Sequence, residues 1–125
     1  MCFGSVHAEF RALIARPLTQ VEPFVLDLMN LPAWDPGVKS VVEKDGGFLV
    51  TDETFNVQVF HTVEPLAHAR GGGTILRMHG KGPGFTTEEA LVVGRVLDTT
   101  VVDYSVDVFP SYVFPWYVFP WLGRA

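Results

Sequence analysis

The segment VEPFVLDLMNLPAWDPGVKSVV, residues 21–42, carries the signals that decide the fold. Its first part has the i, i+3, i+4, i+7 apolar spacing of one helical face: Val21, Phe24, Val25 and Leu28. The prolines that follow are incompatible with a long regular helix, so residues 31–37 are predicted to form a turn, or one helical turn, that presents Trp34. A strand is predicted to begin at Val38. The segment therefore predicts a short helix, a tryptophan-bearing turn and a strand, in that order.

The flanking sequence extends this pattern into a sheet. Thr19 and Glu22 have the spacing of a capping box, which predicts that the helix begins at Thr19. Residues 5–15 alternate apolar and polar side chains, as a strand with one buried face does. Beyond Val38, alternation and glycine-rich turns predict about six strands that continue to Val108. One helix packed on an antiparallel sheet is an α+β domain.

Two predicted strands supply inward-facing side chains. In the strand predicted for residues 54–63, the odd-numbered positions face inward: Phe55, Val57, Val59 and His61. In the last strand, Tyr104 faces inward together with valines. Residues 80–84, Gly-Lys-Gly-Pro-Gly, lack the Gly-Lys-Ser/Thr ending of a phosphate-binding loop and are predicted to be a hairpin turn.

Composition limits the classes of function. The 125 residues are enough to enclose one core, so a single domain is predicted for residues 1–125. The formal net charge of −5 gives no basic surface for nucleic acid, which is therefore not expected as a partner. One cysteine and four histidines without ligand spacing predict no metal and no cofactor. The lone cysteine and the charged amino terminus predict a reducing, cytoplasmic location.

The carboxyl-terminal tail, residues 108–125, contains three pentapeptides that begin Val-Phe-Pro. An interior proline costs a helix about 3 kcal/mol, so a regular helix through all three prolines is not expected. Three interpretations of the tail remain open. It covers the mouth of the sheet as an irregular lid, it packs against another subunit in a homo-oligomer, or it contacts a membrane interface through its tryptophans. The scarcity of nearby basic residues weighs against the membrane.

The element order and residues 20–45 resemble the START-like helix-grip superfamily, also called SRPBCC. The resemblance is carried by a helix phenylalanine, an aspartate near the helix end, a tryptophan in the next turn and a Val-x-x-Val strand opening: Phe24, Asp27, Trp34, Val38 and Val41. It implies a curved antiparallel sheet of about seven strands around a cavity for an apolar ligand. The family closes that sheet with a long terminal helix, where this chain has its proline-rich tail.

The resemblance also implies a function, namely binding of a polyketide- or lipid-like molecule, with or without the acid-base chemistry of a polyketide cyclase or dehydrase. The competing predictions are a non-catalytic carrier and an adaptor whose tail mediates oligomerisation. His61 and Tyr104 are the predicted acid-base residues, because histidine titrates near neutrality and both face inward. The predicted ligand contacts come from the walls, the entrance and the tail: Trp34, Phe55, Val57, Val59, Arg77, Phe114 and Trp116.

Each candidate also has a structural alternative. The structural alternative for His61 is a core histidine with a satisfied hydrogen bond, and for Tyr104 it is a packing residue with its hydroxyl at the surface. Arg77 faces the ligand only if the strand at 74–79 exposes Leu76 and Met78. Glu88 and Glu89 begin a strand whose two faces are almost equally apolar, so the sequence does not assign their sides.

Overall fold

The computed structural model describes residues 5–111 of the chain. The helices are α1 (Leu18–Val25), a 3-10 helix (Leu28–Asn30) and the single turn α2 (Leu31–Trp34). The strands are β1 (Val6–Ile14), β2 (Val38–Lys44), β3 (Gly47–Asp52), β4 (Gln58–Val63), β5 (Ala67–His68), β6 (Thr74–Gly82), β7 (Phe85–Val96) and β8 (Thr99–Pro110). None of these helices is long and apolar enough to cross a membrane. The interpretations of the tail, and with them Phe114 and Trp116, lie outside the described residues.

The strands form one antiparallel sheet in the order β1-β8-β7-β6-β4-β3-β2, with the short β5 paired to β6. The helices and turns between β1 and β2 connect opposite ends of this order. The predicted α+β class, an antiparallel sheet with helix on one face, is confirmed. We call the face that carries α1 the inner face and the opposite one the outer face.

The predicted capping box does not form. Pro17 is the N-cap residue of α1, and its carbonyl accepts the amides of Gln20 and Val21. Thr19 is therefore the second residue of the helix and does not occupy the N-cap position that a capping box requires. The Glu22 side chain instead accepts a hydrogen bond from the Thr74 hydroxyl at 3.1 Å, which ties the helix to the sheet.

The predicted helical stripe is also interrupted. The helix α1 ends at Val25, and Asp27 then caps the 3-10 helix by accepting the Met29 amide at 3.0 Å. Within α1, Phe24 lies on the solvent side and is 44% exposed. Val21, Val25 and Leu28 remain buried and pack on inner-face residues of the central strands: Leu76, Met78, Leu91, Val93 and Val102. Each fully buried aliphatic side chain of this core contributes about 1.5–3 kcal/mol.

Turns determine which residues reach the inner face. Asp45 and Gly46 have φ of 51° and 79°, the left-handed conformation of the hairpin turn expected there. The next predicted strand begins at Gln58, because Asp52 accepts the amides of Phe55 and Val57 and holds residues 53–57 in a turn. The hairpin between β6 and β7 pairs Gly82 with Phe85. Gly80 therefore lies in β6 and not in the turn.

Candidate functional site

A cavity of about 400 Å³ occupies the part of the inner face that α1 does not cover. Most of its wall is apolar and includes Phe10, Val57, Val59, Phe85, Val106 and Val108. Phe85, Val106 and Val108 form a buried cluster of their own, with Val57 and Val59 packed against it. Tyr104 contacts both this cluster and the core beneath α1. The inner face is thus divided between a helix-covered core and a cavity.

Four polar side chains meet in the cavity wall, and we call them the Glu89 cluster: Glu89, His61, Tyr104 and Thr87. The carboxylate oxygen Oε2 of Glu89 lies 2.5 Å from His61 Nε2 and accepts the Thr87 hydroxyl at 3.1 Å. The other oxygen, Oε1, accepts the Tyr104 hydroxyl. The side chains of His61 and Glu89 are each only 9% exposed.

The His61 ring has both nitrogens engaged. Nδ1 lies 3.2 Å from the Val59 carbonyl, which only accepts hydrogen bonds, so Nδ1 carries a hydrogen. A hydrogen on Nε2 as well makes the ring a cation that donates to the Glu89 carboxylate. The hydrogen between Nε2 and Oε2 then belongs either to an imidazolium facing a carboxylate or to a carboxylic acid facing a neutral imidazole, and the pKa values of the two groups decide between these forms.

The surroundings shift the pKa values of this pair in opposite directions. Burial alone would lower the pKa of His61, but the hydrogen bond to Glu89 and its negative charge outweigh burial and raise that pKa. Burial would raise the pKa of Glu89, but the hydrogen bond from His61 and its charge, with help from Tyr104 and Thr87, lower it. Both directions favour the ion pair. Burial, followed by the charge of Glu89, raises the pKa of Tyr104 well above its usual value, so the phenol keeps its hydrogen.

Gly80 makes the contact between His61 and Glu89 sterically accessible. His61 on β4 pairs with Gly80 on β6, and Gly80 pairs with Thr87 on β7. A Cβ atom at position 80 would lie 2.1 Å from Thr87 Oγ1 and 3.2 Å from His61 Nε2. Because β6 carries no side chain at this point, the imidazole extends across it to reach Glu89.

A second carboxylate, Asp35, lies in the cavity wall just after α2. Its Oδ1 accepts the Gly37 amide at 2.9 Å. Burial raises the pKa of Asp35, the Gly37 hydrogen bond opposes this, and the negative charge of Glu89 raises it further. Asp52 also borders the cavity, and its two carboxylate oxygens accept the Phe55 and Val57 amides. Glu9 borders it too, but its carboxylate lies 3.2 Å from His7 and its side chain is 73% exposed.

The structure brings together four of the residues predicted from the sequence: His61, Tyr104, Val57 and Val59. Three others do not line the cavity, and their predicted placement is corrected. Phe55 lies in the turn held by Asp52 and is 38% exposed. Arg77 is exposed on the outer face, because Leu76 and Met78 are buried beneath α1. Trp34 packs against the helix-covered core, and its Nε1 has no hydrogen-bond partner among residues 5–111.

Sequence reasoning missed Glu89, Thr87 and Asp35 as members of the site. The sequence does contain a signal that could have placed Glu89 and Thr87. If the tight turn is placed at Pro83-Gly84, the register pairs Met78 with Glu89 and Gly80 with Thr87, which assigns both to the apolar face of β6. Among the described residues, no group of three or more histidine, cysteine, aspartate or glutamate side chains is arranged to hold a metal ion.

Comparison with known proteins supports the architecture. No protein-family model and no curated protein matches the chain. Several solved structures share its fold. A START superfamily protein from Mycobacterium smegmatis is 13% identical, with a TM-score of 0.61 over 95% of this chain and 87% of that one. Protein XoxI from Bacillus cereus is 16% identical, with a TM-score of 0.64 over 87% of this chain and 79% of that one.

A third structure, Ara h 8.0201, is 18% identical with a TM-score of 0.58, over 97% of this chain and 89% of that one. Such low identities establish a shared fold and nothing finer. The chain has the START-like helix-grip fold, which is the fold that the resemblance of residues 20–45 implied.

Proposed function

We propose that this protein binds an apolar small molecule, polyketide-like or lipid-like, in the inner-face cavity. The observation that carries the proposal is the placement of one buried polar cluster in a mostly apolar cavity of about 400 Å³. Small-molecule sites combine apolar walls with a few placed polar groups in this way. The solved structures of the same fold include a START superfamily protein, which is consistent with the proposal.

The energetics of the Glu89 cluster support a role beyond folding. Removing an imidazolium and a carboxylate from water costs several kcal/mol per ion, and an apolar pair of similar volume is often equally or more stable. The neighbouring positions on this face are valine, leucine and phenylalanine. Apolar side chains in place of His61 and Glu89 would therefore suit the surroundings. The ionic cluster is therefore better explained by recognition of a ligand than by stabilisation of the sheet.

Binding can be tested by native mass spectrometry of freshly purified protein and by titration with the uncharged dye Nile red. We expect a co-purifying apolar molecule, and dye binding that the Val57→Trp variant abolishes by filling the cavity. Gln58→Trp is the matched control, because Gln58 is the next residue and is exposed. The proposal fails if neither method detects a ligand, or if both variants bind the dye as the wild type does.

A second candidate function, acid-base catalysis of the cyclase or dehydrase type, is favoured by the hydrogen shared between His61 and Glu89 at 2.5 Å. In such a pair the Glu89 carboxylate can accept a proton from a carbon next to a carbonyl group, and the His61 imidazolium can donate its proton elsewhere on the substrate. The candidate relies on proton transfer alone, because the Tyr104 hydroxyl already donates to Glu89 and is not free for an enolate oxygen.

Proton abstraction can be measured without knowing the substrate. The probe is 2-tetralone in D2O, and NMR follows deuterium incorporation next to the carbonyl. If the pair is catalytic, the wild type accelerates exchange above buffer, and both His61→Gln and Glu89→Gln lose the acceleration. Exchange at the buffer rate in the wild type would leave the protein as a non-catalytic carrier. The adaptor alternative depends on residues 112–125 and lies outside the described part of the chain.

A further inference from the structure

We infer that the cavity selects apolar ligands whose polar group donates a hydrogen bond, such as an alcohol, a phenol or an ammonium, and that it disfavours carboxylates. This inference rests on the proposed function and specifies the chemistry of its ligand. It follows from a count of donors and acceptors in the cavity wall and from the charge there.

Within residues 5–111, the side-chain donors of the cavity wall are already used by groups of the protein itself. The Thr87 and Tyr104 hydroxyls both donate to Glu89. His61 directs one nitrogen to Glu89 and the other to the Val59 carbonyl. The one buried side-chain donor without a partner in residues 5–111 is Trp34 Nε1, and Trp34 does not line the cavity. A ligand that only accepts hydrogen bonds would therefore have to break a bond within the cluster.

Acceptor capacity remains on the same groups. A phenol oxygen that donates its hydrogen still has lone pairs to accept another, and a carboxylate has about four acceptor positions. The Asp35 carboxylate uses Oδ1 for the Gly37 amide, and its second oxygen retains acceptor capacity beside the cavity. A hydroxyl or ammonium can be satisfied here without disturbing the Glu89 cluster.

Charge acts in the same direction as the donor count. The described residues that line the cavity include Asp35, Asp52 and Glu89, and they include no lysine or arginine. Glu9 also borders the cavity, but its carboxylate lies 3.2 Å from His7 and its side chain is 73% exposed, so its charge is not counted. The imidazolium of His61 is already paired with Glu89. An anionic ligand would bring a further negative charge beside Asp35 in a poorly solvated site, whereas an ammonium would find a counter-ion.

The test is a panel of ligands that share one naphthalene ring and differ in the polar group. The probes are 1-naphthylmethanol, 1-naphthylmethylamine, 1-(methoxymethyl)naphthalene and 1-naphthoate, each titrated at pH 7 by displacement of Nile red. We expect the alcohol to bind about three- to tenfold more tightly than its methyl ether, the range of one net hydrogen bond. We expect the amine to bind about tenfold or more tightly than the naphthoate.

Two charge-neutralising variants locate the effect. Asp35→Asn removes the proposed counter-ion and adds an amide donor, so it should reduce the ratio of amine to naphthoate affinity by about tenfold. Glu88→Gln makes the same charge change on the outer face and should leave the ratio unchanged. Nile red affinity, measured for each variant, shows that the cavity is still formed.

The outcomes separate this inference from the proposed function. If Nile red and all four probes fail to bind the wild type, the proposed function is wrong and the inference falls with it. If the probes bind but the naphthoate or the ether equals the alcohol, the cavity binds apolar ligands and only the inference is overturned. An unchanged affinity ratio in Asp35→Asn overturns the role of that carboxylate.

Discussion

The two faces of the sheet carry the same kind of ionic contact in different surroundings. On the inner face, His61 and Glu89 lie 2.5 Å apart, and each side chain is 9% exposed. On the outer face, His79 lies 2.5 Å from Glu64 and 2.5 Å from Glu88, with these side chains 44–53% exposed. Glu88 and Glu89 are neighbours in sequence and point to opposite faces.

The difference shows that burial, more than distance, decides what such a contact does. Solvent screens the outer contact, and exposed ion pairs of this kind contribute little to stability. The inner pair is removed from solvent, so each ion depends on the other and the loss of one leaves an uncompensated charge. The same residue types therefore form an exposed surface contact on one face and a tightly constrained polar site on the other.

The largest expected effect comes from removing the inner carboxylate. Glu89→Ala leaves the His61, Tyr104 and Thr87 donors without their acceptor and should lower the free energy of unfolding by about 3 kcal/mol or more. Glu88→Ala, the adjacent change on the outer face, should cause a much smaller loss. Urea denaturation of the three proteins measures this, and equal losses in the two variants would show that burial does not distinguish the faces.

A smaller effect is expected from Gly80→Ala, which tests how the inner contact is reached. The new Cβ would lie 2.1 Å from Thr87 Oγ1 and should displace that hydroxyl from Glu89. Overpacking of this kind costs about 1–3 kcal/mol.

Gly94→Ala is the matched control on β7, because its Cβ would meet nothing closer than 3.7 Å. It should be neutral or slightly stabilising, since alanine loses less conformational entropy on folding than glycine. If the Gly80→Ala protein is as stable as the control, the contact between His61 and Glu89 does not require position 80 to be without a side chain.

The smallest expected effect is the dependence of stability on pH. The raised pKa of His61 gives a stabilisation that is full below about 6.5 and is lost as pH rises through the pKa of the folded state. The lowered pKa of Glu89 gives one that is full above about 4.5 and is lost as pH falls through its folded pKa. Together they predict a maximum contribution between about pH 4.5 and 6.5.

The double variant His61→Gln/Glu89→Gln removes both titrations and should flatten the curve of unfolding free energy against pH. His79→Gln removes the outer histidine, whose pKa is also raised, chiefly by its hydrogen bond to Glu64. Because solvent screens that contact, this variant should keep a curve close to that of the wild type. The opposite result, a flattened curve of unfolding free energy against pH in His79→Gln and an unaltered one in the double variant, would show that the outer contact and not the inner one determines the pH dependence.

The sequence was sufficient for the fold class and for part of the site. Alternation placed Val57, Val59, His61 and Tyr104 on one face, and the structure puts all four in the cavity wall. The Asp45-Gly46 turn was predictable because few dipeptides favour two successive left-handed residues. These features depend on local periodicity and turn chemistry. All the information that predicts them lies within one short segment of the chain.

What the sequence did not predict depends on contacts between distant segments. Phe55 was placed on a strand because nothing local shows that Asp52 accepts the Phe55 and Val57 amides. Glu89 was left unassigned because its face depends on the register with β6, and both faces of β7 are apolar in sequence. Glu22 was predicted to cap its own helix, but Thr74, 52 positions away, binds its side chain instead.

The open order of the sheet has a consequence for how copies of this protein meet. Among residues 5–111, β1 and β2 each pair with only one other strand and so leave backbone groups unpaired along two edges. Such edges are templates for aggregation. Here β1 carries His7 and Arg11, β2 carries Lys39 and Lys44, and an irregular register near Ser40 disrupts a flat edge. These charges and this bulge disfavour extension of the sheet from one molecule into the next.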